Sequence, residues 1–79
     1  MLNAKLILEQ QYLEMRWRCL SLAADLDRIE RSEGGLETMK SDSRLAQLRK
    51  AMQILLSPEG SRAEKVQILL SDASPPPER

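Results

Sequence analysis

From residue 3 to residue 32 the chain contains neither glycine nor proline. The stretch is filled by Leu, Glu, Gln, Arg and Ala, with apolar residues recurring at helical spacing from end to end. With no breaker and good intrinsic helix formers throughout, the pattern predicts one long helix, about 45 Å at ~1.5 Å per residue. Ser32-Glu33-Gly34-Gly35 supplies its stop. Arg28 and Arg31 fall in the last turn, where the helix dipole favours positive charge.

This helix carries two apolar stripes. Leu8, Tyr12, Met15, Cys19, Leu22, Leu26 and Ile29 follow the alternating 4,3 spacing of a heptad seam without interruption. Leu2, Leu6, Leu13, Trp17, Leu20 and Ala24 form a second set, about 100° or more round the same helix by the 3.6-residue period. Glu9, Arg16, Ala23 and Glu30 run between them and keep them apart. A helix that is apolar on two sides needs two neighbours.

The rest of the chain supplies one of them. The stretch from Gly34 to Lys40 has weak periodicity and reads as a loop. A second helix begins near Ser41 or Asp42, either able to cap exposed amides, and runs through Leu45, Leu48, Met52 and Leu55. Ser57-Pro58-Glu59-Gly60 breaks it. Ser61-Arg62-Ala63-Glu64 has the form of a capping box opening a short third helix through Val66, Leu69 and Leu70. The expected fold is therefore all-α: one domain over residues 1–71, a helical hairpin followed by a short third helix. Residues 72–79, with three consecutive prolines, read as a flexible tail. The second helix is about half as long as the first and covers one stripe at most. The other stripe is then buried by a symmetry copy, giving a four-helix-type bundle, by a different helical protein, or by the third helix folding back.

Energetics favour an outside partner. Folding a chain of this size into a globule removes roughly 8,000 Å² from water, about half of it apolar, worth about 100 kcal/mol at ~25 cal/mol/Å². Ordering roughly 65 residues at ~1.5 kcal/mol each costs about the same. One cysteine excludes an internal disulfide, and with no histidine it cannot build a zinc site, so neither staple adds to the core.

Charge and hydropathy narrow the function classes. Twelve basic residues against twelve acidic ones leave no net field to attract a phosphate backbone, which argues against a dedicated nucleic-acid binder. The longest apolar runs, such as Ile54-Leu55-Leu56, are far short of a membrane span. The start Met1-Leu2-Asn3-Ala4-Lys5 lacks the form of a secretory signal, and together with the absence of disulfide potential this points to the cytoplasm.

Individual residues offer little chemistry. Cys19 lacks a histidine to act as its base, so it reads as a small buried member of the seam. Arg16-Trp17-Arg18 combines two residue types that dominate binding hot spots, and Trp17 with Leu13 and Leu20 reads as protein interface. Arg16 and Arg18, with Arg44, Arg49 and Lys50 in the second helix, are the candidate contacts for an anionic partner. One Trp, one Tyr and no Phe cannot build a base-stacking platform. Lys5 with Glu9, Glu14 with Arg18 and Asp27 with Arg31 stand at i,i+4 and read as helix-stabilising pairs. No Gly-rich phosphate loop, nucleophile elbow or paired-carboxylate arrangement is present. The expectation is a non-enzymatic helical interaction module without cofactor, a homodimer or a small subunit of a larger complex. The alternative is a small dimeric regulator that binds nucleic acid through its Arg and Lys residues.

Overall fold

The computed structural model describes residues 3–71, and the expected Pro-rich tail at 72–79 and Leu2 of the second stripe lie outside them. Four helices and no strand occur among the described residues: α1 (Ala4–Arg31), α2 (Gly35–Ser41), α3 (Ser43–Leu56) and α4 (Arg62–Leu70). The chain divides into two compact units, Met1–Met39 and Lys40–Arg79.

In the first unit, α1 runs for 28 residues. Asn3 caps its start: the Oδ1 accepts the Leu6 amide at 2.9 Å, satisfying one of the donors that a helix N-terminus leaves without a partner. Arg28 and Arg31 occupy the last turn as expected. The Ser32 hydroxyl donates to the Arg28 carbonyl at 2.6 Å and the Ser32 amide to the Ile29 carbonyl at 3.1 Å, closing the C-terminus.

The region read as a loop is helical. Gly35 donates its amide to the Ser32 carbonyl at 2.8 Å, closing a turn whose third residue, Gly34, has φ +75°. That value lies where residues bearing a Cβ are strained. The Gly34 carbonyl then accepts the Thr38 amide at 3.0 Å, the first bond of α2. Leu36, Glu37, Met39 and Lys40 are helix formers, with Glu37 in the first turn and Lys40 in the last, matched to the dipole. A helix of two turns is too short to show a period, which is why the sequence pattern reads as a loop there.

The second unit holds α3 and α4 packed on one another. Leu45 and Ala51 are buried, and Leu48, Met52, Ile54, Val66 and Leu69 are half-buried. The expected stripe on α3 thus holds for Leu45, Leu48 and Met52. Leu55, in the last turn before the loop, stays exposed, and Ala51 takes the buried place. The capping box expected at Ser61 is not formed. Ser61 adopts φ 59°, ψ 35°, a left-handed conformation, whereas a side-chain cap needs extended backbone, and its side chain makes no cap bond. Arg62 instead ties the start of α4 to the end of α3, donating from Nε and Nη2 to the Ser57 carbonyl at 3.1 and 2.6 Å. Lys65 Nζ reaches Glu59 Oε1 at 3.0 Å over the same loop.

Candidate interaction surface

The α1 backbone sets out both stripes predicted from the spacing, and no residue of the helix is buried. On the seam, Leu8, Tyr12, Met15 and Cys19 are exposed, while Leu22, Leu26 and Ile29 are half-buried. Cys19 was expected to be buried; within the chain it faces solvent, because the N-terminal part of the seam is left without cover. Round the helix, Leu13 and Trp17 are 65% and 64% exposed, and Leu6 and Leu20 are exposed with them. Leu6 to Leu20 therefore presents large apolar side chains on two sides of one helix.

Sequence reasoning missed one contribution. Ala4, Ile7, Leu8, Gln11, Met15 and Arg18 line a shallow open depression along α1. Ile7 precedes Leu8 and stands one helical step, about 100°, from it, so it widens the seam toward Gln11 and Arg18. The strict 4,3 template passes over it.

The basic residues proposed as anion contacts fare unequally. Arg18 reaches Glu14 at 3.7 Å, the expected i,i+4 pair, with both side chains exposed. Arg28 pairs with Asp25, one turn back, a pairing that the i,i+4 pattern did not include. Such exposed pairs add only a few tenths of a kcal/mol each. Arg49 and Lys50 are exposed on α3. Arg44 is committed within the chain: its Nε donates to Asp42 Oδ1 at 3.0 Å and its Nη2 to Oδ2 at 2.9 Å. The guanidinium holds this carboxylate in a two-point fashion from the solvent side, its own side chain 86% exposed.

Asp42 is also the N-cap of α3, as the sequence suggested, and accepts the Arg44 amide at 2.8 Å. The Arg44 side-chain bonds, with that amide bond, hold the Asp42 carboxyl well below its ordinary 3.8, at about 2. A carboxylate with a lowered folded-state pKa stabilises the fold in its ionised form. That contribution is complete above about pH 4 and is lost as pH falls through about 2. An acid titration followed by far-UV circular dichroism is expected to show helicity falling across this window. In Asp42→Asn, which retains a capping oxygen without the charge, that step is expected to shrink.

Comparisons with protein-family models, with characterised proteins and with solved structures returned no match. The reading of this surface therefore rests on the chain's own residues. Among the described residues no three His, Cys, Asp or Glu side chains converge as a metal would require. No helix among them is long and apolar enough to cross a membrane.

Proposed function

We propose that the chain is a non-enzymatic helical interaction module that joins another helical chain through the apolar stripes of α1, as a homo-oligomer or as a small subunit of a larger assembly. The observation that carries this reading is a 28-residue helix with two apolar stripes and no buried residue. Soluble monomers rarely leave large contiguous apolar patches facing water, and an exposed patch rimmed by charge is the usual mark of a protein contact. Most of a helix's stability within a protein comes from packing an apolar face, and α1 leaves most of both its stripes exposed. A bundle of helices side by side supplies that packing, with seam residues interdigitating as in a coiled coil.

Sedimentation equilibrium over a wide concentration range, with far-UV circular dichroism on the same samples, tests this. The expected result is an apparent mass that rises above the monomer value with concentration, and helicity that rises with it. If assembly instead takes a different protein, the isolated chain is expected to stay monomeric and less helical than 28 ordered residues in α1 require. A monomer with full helicity at every concentration would count against the proposal, because α1 would then need no cover.

A further inference from the structure

Only part of the seam is open. Leu8, Tyr12, Met15 and Cys19 are exposed, and the seam closes off at the half-buried Leu22, Leu26 and Ile29. The spacing puts Tyr12 and Cys19 at heptad position a, and Leu8 and Met15 at position d. When two helices run antiparallel, a positions of one meet d positions of the other. Leu8 against Cys19 and Tyr12 against Met15 share a single midpoint, between Leu13 and Glu14. The four exposed residues are therefore their own complement about a two-fold axis, the condition for an isologous interface.

The flanking charges select the same register. Glu9 and Arg16 lie on one flank of the exposed run and Gln11 and Arg18 on the other. With the axis between Leu13 and Glu14, Glu9 of each copy faces Arg16 of the other, twice by symmetry, and Gln11 faces Arg18. Among the described residues no ion pair within the chain engages Glu9 or Arg16. Other registers do worse. Full antiparallel overlap, Met15 against Cys19, sets Arg16 on Arg16 and Arg18 on Arg18 at the axis. A shift of one heptad beyond that gains Arg18 against Asp25 but opposes Glu9 to Glu30, and it needs the half-buried Leu26 and Ile29. A parallel pair in register opposes Asp25 to Glu30 and forms no opposite-charge pair.

Resting on the module reading above, we propose that the occupant of the exposed seam is a second copy of α1, antiparallel and centred between Leu13 and Glu14. Ile7, Leu8, Tyr12 and Met15 are each about half exposed. Covering them in both copies removes on the order of 900 Å², which, with the flanking stems, falls at the small end of specific interfaces that begin near ~1,200 Å². The dimer is thus reversible and visible as a concentration-dependent mass.

A charge exchange on the intact chain tests it, because Glu9 and Arg16 are both exposed and neither substitution removes a side chain that the chain buries. Sedimentation equilibrium of Glu9→Arg and of Arg16→Glu is expected to show dimer dissociation constants raised about tenfold or more, since two attractive pairs become repulsive. Glu9→Arg/Arg16→Glu together are expected to restore the parent value. Single variants that dimerise as the parent does, or a double variant that is not restored, would overturn the register. Cross-linking with a short bis-maleimide reads the same geometry independently. The only cysteine, Cys19, sits about 16 Å along the axis from its symmetry mate, so the parent chain is expected not to cross-link, whereas Leu8→Cys is expected to do so in high yield. Cross-linking of the parent through Cys19 would place the two cysteines side by side and overturn the antiparallel arrangement. A chain that stays monomeric and poorly helical at all concentrations would overturn the second copy while leaving the module reading standing with a different partner.

Discussion

Met15→Asp is expected to weaken assembly by roughly a hundredfold or more without removing a contact that the isolated chain buries. Met15 is 49% exposed in the single chain, so a carboxylate there remains solvated until a partner arrives. Assembly would then bury an unpaired charge against Tyr12 and its neighbours in each copy. An uncompensated buried charge costs several kcal/mol, so the dissociation constant is expected to rise by roughly a hundredfold or more. Leu26→Asp makes the instructive contrast. Leu26 is half-buried within the chain itself, so its replacement is expected to reduce helicity and assembly together. Circular dichroism at concentrations where the parent is monomeric separates the two effects: Met15→Asp is expected to match the helicity of the parent monomer and Leu26→Asp to fall below it, while sedimentation reads assembly in both. If Met15→Asp assembles as the parent does, the N-terminal seam is not the interface.

The second large effect is expected from a methyl group. Gly35→Ala adds a Cβ that would overlap the carbonyl oxygens of Ile29 and Glu30. These are backbone atoms of α1, not the tips of flexible side chains, so relief requires the last turn of α1 or the start of α2 to move. The Gly35 amide that donates to Ser32 would move with it. A cost of about 1–3 kcal/mol is expected, typical of overpacking, with Tm lowered by roughly 5 °C or more for a domain of this length. Gly60→Ala serves as the control, since nothing lies within 4 Å of a Cβ there. It is expected to be neutral or slightly stabilising by thermal denaturation, as it narrows the unfolded ensemble. Equal losses in the two variants would mean that the close approach at Gly35 carries no stability.

Much of the secondary structure was legible because its causes are local. The absence of breakers between residues 3 and 32, the Gly34-Gly35 stop, the Asp42 cap and the Pro58-Gly60 break each act within a few residues. They place α1, α3 and α4 within a residue or two of the expected bounds. Two local expectations failed for local reasons. The α2 segment has too few turns to display a period. Ser61 has the right side chain for a cap but the wrong backbone conformation to use it. The candidate surface was legible as a list of residues, since the heptad spacing names Leu8 to Ile29 outright. Ile7 was invisible to it, because it contributes by lying beside the seam rather than on it.

The sequence by itself determined that this chain is helical, where its long helix starts and stops, and that α1 is apolar on two sides, since all of this follows from hydrogen bonds and side-chain periods within single segments. Only the tertiary structure decided which of those apolar residues the chain covers. It packs α4 on α3 over Leu45 and Ala51, brings Gly35 against the backbone of α1, half-buries Leu22, Leu26 and Ile29, and leaves Leu8 to Cys19 open to water. Burial is a property of what lies opposite a residue, and residues far along the chain come to lie opposite one another only when it folds.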